Sequence, residues 1–239
     1  DATPITLGQE FSGYLQMVKN GTKRLQNTNE HLSELAQGGT AVGTGINTKG
    51  NFGQLMAQEI SHHTGLKFIE AKNHFEAQSA QDAAVETSGA LKTIAVSLSK
   101  ISNDIRWLGS GPRAGIGELI LPAVQPGSSI MPGKINPVIC ESLLQICAQV
   151  IGNDMAITIS GQGGFFELNL MLPIIAHNLT QSIEILTNGI QMFTEKLVKG
   201  LQANEVQCSG YIEGSLAMCT SLAPIIGYDR AAEIAHKAF

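Results

Sequence analysis

Apolar residues recur at alternating steps of three and four positions through the first part of the chain. In residues 6–36 the positions at this spacing are Leu7, Phe11, Tyr14, Val18, Gly21, Leu25, Thr28, Leu32 and Leu35. Seven of these nine residues are apolar or aromatic, which is typical of one packed face of a helix. The pair Gly38-Gly39 predicts where this helix ends. About 30 residues of helix extend roughly 45 Å.

The same reasoning predicts further helices along the chain. Their ranges are 77–108, 137–159, 166–198 and 205–222, and another begins at Tyr228. Pro173 predicts a kink in the helix over 166–198, whose first half is apolar on nearly every face and is therefore expected to be buried all round. Strand patterns are weak and short, with "LKFIEA" and "GELILPAV" as candidates.

Long helices with continuous apolar seams predict an all-α fold. We expect an elongated bundle of long antiparallel helices, with residues 1–239 forming one helical-bundle domain. A single chain of this length cannot cover seams of about 45 Å on every helix. The pattern therefore predicts packing against further copies of the chain in a homo-oligomer.

Composition narrows the classes of function. The chain has 239 residues, of which 43% are hydrophobic and 15% charged, so it can bury a core. A formal net charge of −5 argues against nucleic-acid binding. No continuous apolar run reaches eighteen residues, so we expect no membrane span. The cysteines have neither metal-site nor redox spacing and are expected to be buried free thiols; they are Cys140, Cys147, Cys208 and Cys219.

The segment "GSSIMPGKINP", residues 127–137, is a stiff polar loop ahead of a predicted helix. It lacks the spacing of a phosphate-binding loop, because Ile135 stands where a Ser or Thr is required. Lys134 and Asn136 at a helix start suit a carboxylate ligand. A serine such as Ser128, surrounded by positive charge and amides, could act as a base. The alternative is a connector whose serines cap a turn or a helix.

A second glycine-rich segment, "GGTAVGTGIN" at residues 38–47, also lies between predicted helices. It matches neither of the common phosphate-binding patterns. A turn where helix ends meet closely is the favoured interpretation, and a phosphate cradle is the alternative.

Taken together, these segments resemble the fumarase/aspartase superfamily, and within it the class II fumarases. The loop at 127–137 resembles the superfamily's signature loop. The other segments that carry the resemblance occur in the family's order; they are "GGTAVGTGIN", "NHFEA", "SNDIRWLGSGPRAGIGE", "FELN" and "IGYDRAAEIA". The resemblance covers essentially the whole chain. One stretch, "ANEVQCSGYIEGSL", is closer to the aspartase pattern.

The resemblance implies reversible hydration of fumarate to (S)-malate, with no metal or other cofactor. It implies Ser128 as the catalytic base and Glu141 as the carboxylate that pairs with the family's active-site histidine. The substrate carboxylate is then bound by Ser129, Lys134, Ile135 and Asn136. It also implies a homotetramer whose active sites are shared between subunits, located in the cytoplasm, or in the mitochondrial matrix of a eukaryote.

The family's histidine has no counterpart in this sequence, since the matching motif places it three residues before Asp1. The resemblance implies that residues 1–239 are the central helical-bundle domain of a longer enzyme, without its amino-terminal domain and most of its carboxy-terminal domain, and we expect this part to be inactive by itself. Two alternatives remain open. One is an aspartate ammonia-lyase of the same superfamily, and the other is a non-catalytic structural bundle.

Overall fold

The computed structural model of the chain describes residues 2–239. The helices are α1 Leu7–Leu32, α2 Phe52–Thr64, α3 His74–Ser79, α4 Asp82–Leu108, α5 Val138–Gly161, α6 Leu172–Lys196, α7 Glu205–Gly214, α8 Ala223–Ile226 and α9 Tyr228–Ala238, with 3₁₀ turns at Val198–Gly200 and Leu216–Leu222. The strands have two residues each: β1 Glu34–Leu35, β2 Ile69–Glu70, β3 Leu119–Ile120, β4 Gly164–Phe165, β5 Leu168–Asn169 and β6 Gln202–Ala203. The prediction of an all-α fold is confirmed.

The predicted apolar seam is buried along α4 and only partly buried along α1, where Val18 and Leu32 are exposed. On α4 the seam residues Leu91, Ala95, Leu98, Ile101 and Ile105 are all buried. On α1 the seam contains Gly21, where an added Cβ would lie 2.9 Å from Ile94 Cγ1. Glycine at this position therefore lets α1 and α4 approach each other more closely than any larger residue would allow.

The region before α6 differs from the prediction. The helix begins at Leu172 rather than near residue 166, and β4 and β5 form an antiparallel hairpin in front of it. The apolar run is not buried all round, because Phe166 is 90% exposed. Pro173 lies in the first turn of α6, where no intrahelical N–H is needed, so the expected kink does not arise.

The chain divides into two compact units. The first comprises the chain up to Gln16, Ile101–Glu141 and Met192–Phe239. Its core includes Tyr14, whose hydroxyl donates to Asp104 Oδ2 at 2.9 Å. Strands β3 and β6 pair antiparallel in this unit, and the Tyr211 hydroxyl donates to the carbonyl of Ile116 at 2.9 Å, which attaches α7.

The second unit comprises Met17–Lys100 and Ser142–Gln191. Its apolar core contains a buried polar cluster between α4, α5 and α6. Asp154, whose side chain is 6% exposed, accepts hydrogen bonds from Ser88 Oγ at 2.8 Å and Lys92 Nζ at 2.6 Å. Next to it Asn153 Nδ2 donates to Ser182 Oγ at 3.0 Å. These bonds fix the register of three helices, since each polar group has a partner only in this arrangement.

Replacing Lys92 with Met is expected to destabilise the second unit. The change leaves the Asp154 carboxylate buried without its counter-charge. Because the Lys92 side chain is 44% exposed, we expect a loss of about 1–3 kcal/mol in the free energy of unfolding rather than the full value for a buried pair. Urea denaturation at one fixed protein concentration measures it. Lys67→Met, on an exposed lysine, is the control, and equal losses in both variants would show that the Asp154 pair contributes nothing.

Helix α5 is long and apolar enough to cross a membrane by length and composition alone. One third of its most apolar window, 33%, is buried within the chain. The core helix of a packed bundle has the same composition, so this property does not by itself indicate a membrane span.

Candidate active site

The loop before α5 is closed by backbone and side-chain hydrogen bonds. Gly127 N donates to the carbonyl of Lys134 at 2.8 Å, and Asn136 Nδ2 donates to the carbonyl of Gly127 at 2.6 Å. An added Cβ at Gly127 would lie 2.5 Å from the Lys134 carbonyl oxygen, so only glycine fits there. The amide of Asn136 has a second N–H, which remains available for a ligand.

Ser128 sits at the start of a tight turn inside this loop. Its Oγ accepts hydrogen bonds from the backbone N–H groups of Ile130 and Met131, each at 3.2 Å. Donors aimed at a hydroxyl oxygen stabilise its deprotonated form. Ser128 therefore caps a turn, as in the alternative that the sequence left open. The same two backbone amides are also suited to stabilise a deprotonated Ser128.

Lys134 is exposed, and across residues 2–239 its ammonium group has no acidic partner or side-chain hydrogen bond. Lys134 and Ile135 line a cleft of about 880 Å³ in the first unit. Asn136 closes the loop behind them, while Ser128, Ser129 and Glu141 are not among the residues that line this cleft. The first unit thus contains all six predicted site residues but brings only two of them to its cleft.

Glu141 lies in the first turn of α5 and is half-buried. Within the described part of the chain its carboxylate has no hydrogen-bond or ion-pair partner. Its neighbour Cys140 is fully buried, and burial raises the pKa of that thiol to about 11. The positive charge of Arg106 lowers the pKa of the Cys140 thiol, which is opposite to the effect of burial. The guanidinium therefore contributes to the electrostatic potential at the first turn of α5.

Two residues of the cleft were not assigned a role from the sequence. Arg106 and Trp107, at the end of α4, both line it. The Trp107 side chain is 60% exposed. Both residues lie inside the segment "SNDIRWLGSGPRAGIGE", so its two arginines could have suggested an anion site.

The histidines and cysteines form no metal site in residues 2–239, where no group of three or more His, Cys, Asp or Glu side chains could hold an ion. His62 and His63 stack edge to face at 5.6 Å on an exposed surface. The cysteines are free thiols as predicted; Cys140 and Cys147 are buried, whereas Cys208 and Cys219 are partly exposed, unlike the prediction.

The glycine-rich segment at 38–47 folds as a turn. Gly43 N and Gly45 N both donate to the carbonyl of Gly39, at 3.0 and 3.1 Å. The turn also contacts α3, where Gln78 Nε2 donates to the carbonyl of Thr40 at 3.3 Å. This geometry agrees with a turn between closely packed elements, and phosphate binding there stays untested.

Comparison with known proteins places the chain among lyases. A family profile described as Lyase matches residues 1–152. Fumarate hydratase 1, mitochondrial, of Arabidopsis thaliana is 54% identical over 238 residues, which cover 100% of this chain and 48% of that protein. Fumarate hydratase class II of Thermosynechococcus vestitus is 52% identical over 239 residues, covering 100% and 51%.

Solved structures give the same result. A recombinant class II fumarase from Schistosoma mansoni matches with a TM-score of 0.97 at 38% identity, covering 99% of this chain and 52% of that one. The chain therefore spans about half the length of the relatives it matches. These matches confirm the resemblance that the sequence motifs carried, and with it the helical-bundle fold.

Proposed function

The chain belongs to the lyase family, and from this premise we propose that the whole protein catalyses the reversible hydration of fumarate to (S)-malate without a metal ion. The observation that carries the proposal is the loop at 127–136. It presents a serine whose oxygen accepts two amide hydrogen bonds and a lysine without an acidic partner, in a chain 54% identical to a fumarate hydratase.

In the dehydration direction the base removes a proton from the carbon next to one carboxylate of malate. The electron pair moves into that carboxylate, which becomes a doubly charged aci-carboxylate, and stabilising this charge is the main catalytic task. The pair then returns to form the double bond, while the hydroxyl leaves with a proton from a general acid as water. Ser128 takes the first proton in this proposal.

The remaining predicted residues bind the carboxylate that gains charge. Lys134 supplies a full positive charge, and the free N–H of Asn136 a hydrogen bond. Ser129 is exposed and can donate its hydroxyl, and Ile135 provides an apolar wall of the cleft. Glu141, half-buried and without a partner in residues 2–239, is suited to orient a histidine through a charge-assisted hydrogen bond.

Loss of fumarate absorbance at neutral pH tests the proposal in the whole protein. Release of ammonia from aspartate tests the alternative, an aspartate ammonia-lyase, which the segment "ANEVQCSGYIEGSL" favours. Hydration of fumarate without ammonia release supports the proposal. Ammonia release would instead support the aspartate ammonia-lyase. If neither activity is detected, the alternative of a non-catalytic structural bundle is left.

We place the protein in the mitochondrial matrix if it is eukaryotic, since the Arabidopsis relative is named as mitochondrial, and in the cytoplasm if it is bacterial. Its partners in this proposal are fumarate, malate and copies of itself.

We propose that the protein is a homotetramer, and the surface of the second unit supports association between copies. Three apolar residues of α5 at four-residue spacing form an exposed stripe, and they are Ile151, Met155 and Ile159. Such a stripe is expected to be covered by another copy. We predict that Met155→Glu lowers the mass measured by sedimentation at micromolar concentration, whereas Leu66→Glu, on an exposed leucine outside the long helices, does not. A monomer before any substitution would contradict this prediction.

A further inference from the structure

A small cavity in the second unit is lined mainly by acidic side chains. Its volume is about 410 Å³, and it lies where the end of α1, β1, α3 and the start of α4 meet. Among the described residues that line it, the titratable groups are one imidazole and four carboxylates, and they are His31, Glu34, Glu76, Asp82 and Glu86. The imidazole is therefore the one group of this lining that can offset the negative charge.

A contact between His31 and Glu86 joins two helices at the cavity. His31 Nδ1 and Glu86 Oε2 lie 2.6 Å apart, and the two residues are separated by 55 positions in the sequence. His31 is in the last turn of α1, and Glu86 is near the start of α4. The negative end of the α1 dipole favours a protonated imidazole at this position, so the fold itself supports an ion pair there.

The acidic groups around His31 come from every element that meets at the cavity. They are Glu30 on α1, Glu34 on β1, Glu76 on α3, and Asp82 and Glu86 on α4. Glu34 Oε1 also lies 3.4 Å from Lys72 Nζ. Glu76 and Asp82 have no ion pair within residues 2–239, so His31 lies in an excess of negative charge.

This charge changes the titration of His31. The hydrogen bond to Glu86 and the charge of that carboxylate raise the pKa of His31, and the charges of Glu30 and Glu34 raise it further. The proton is thus bound more tightly in the folded chain than in the unfolded one. The contribution of the pair to stability is then fully present below the ordinary histidine pKa, and it is lost as the pH rises through the raised pKa.

We propose that His31 and Glu86 form a pH-sensitive clasp between α1 and α4, which is closed when His31 is protonated and looser when it is neutral. An exposed ion pair by itself contributes little. Here, loss of one proton also leaves four carboxylates around one cavity with no cation in its lining, and their repulsion separates the two helix ends. The clasp goes beyond the proposed function, because it needs no ligand and lies outside the unit that contains the predicted site residues.

Histidine titration by NMR and hydrogen exchange test the clasp in the 239-residue chain from about pH 5.5 to 9, the range in which histidine changes charge. In Glu86→Gln the midpoint of the His31 titration is expected to fall. The amides of Ser33 and Val85, which donate to Asn29 and Gln81, report on the two helix ends. We expect their protection, corrected for the intrinsic effect of pH on exchange, to drop about two- to fivefold as His31 loses its proton.

The variant His31→Gln should show the lower protection of these two amides at every pH. In the unchanged chain the drop should become smaller at high salt, because the carboxylates that repel each other are accessible to screening ions. Far-UV circular dichroism confirms that each variant is folded.

His63→Gln is the matched control. His63 Nε2 lies 3.0 Å from Glu59 Oε1, so these residues also form an exposed histidine–carboxylate pair, but within α2 and outside the lining of the cavity. This variant is expected to keep the full drop in protection, at the same pH as the unchanged chain.

Three results would overturn the inference. The first is a His31 midpoint that Glu86→Gln leaves unchanged. The second is protection that stays constant while His31 titrates, and the third is a folded His31→Gln variant that keeps the drop. If His31→Gln does not fold, Glu86→Gln decides the same question, because it also breaks the clasp and should lack the drop at the original pH.

Discussion

Replacing Ser128 with alanine in the whole protein is expected to lower kcat by about 10²–10⁴-fold, the usual contribution of one general acid–base group. KM should change little, because the base acts on the substrate proton in the transition state and not in the bound ground state. The backbone amides of Ile130 and Met131, which donate to Ser128 Oγ at 3.2 Å, lose only a hydroxyl that can be replaced by water. The measurement is steady-state kinetics on malate and fumarate.

Ser209→Ala is the control for this substitution. Ser209 is exposed on α7 in the same unit and is not part of the proposed site, so its variant should keep the original kcat. A Ser128→Ala variant with unchanged kcat would assign the proton abstraction to another group. A raised KM with unchanged kcat would place Ser128 in binding rather than in catalysis.

The largest effect is expected for residues 1–239 taken alone, which should hydrate fumarate at close to the uncatalysed rate. The chain spans about half of its relatives, and the unit that holds Glu141 contains one histidine, His236, which is exposed near the end of α9. Correct positioning can supply roughly 7–11 kcal/mol of a barrier. We expect the general acid and part of the binding site to lie in the other half of the whole protein, so that their absence outweighs the retained loop.

The test follows fumarate absorbance with the purified 239-residue chain after its helical content has been confirmed. Turnover close to that of an intact fumarate hydratase would show that the general acid lies within these residues. His31, His74 and His177 would then be the first histidines to replace.

The long helices could be predicted because their apolar seams persist over many turns, and α4 ends at Leu108, where the predicted range 77–108 ends. Helix α2 was missed, since its pattern is short and it buries only Gly53 and Ala57. The start of α6 was placed too early because an apolar run does not distinguish a helix from an exposed hairpin. Phe166, with a φ of 52°, adopts a left-handed conformation that no propensity rule anticipates for phenylalanine.

The candidate site, like the fold, could be predicted from the sequence only in part. Residues 127–137 could be singled out because they form a polar loop rich in glycine and proline ahead of a predicted helix, and because they resemble the loop of a known family. The position of Arg106 in the cleft could not be predicted, because it depends on α4 and the loop meeting there, although Arg106 and Lys134 are 28 residues apart in sequence. Which cation lacks a partner is likewise a property of the folded chain.

Two thiols lie along the helix that follows the loop, and both are fully shielded from solvent. Cys140 is in the first turn of α5 and Cys147 is seven residues, about two turns, further on. Burial raises the pKa of both thiols, so neither is a ready nucleophile at neutral pH. A thiol-specific reagent can modify them only during moments when the helix frays. The two thiols therefore report on the opening of α5 at two positions. The difference between their rates of labelling measures how far along α5 the helix unwinds when it opens at the end next to the loop.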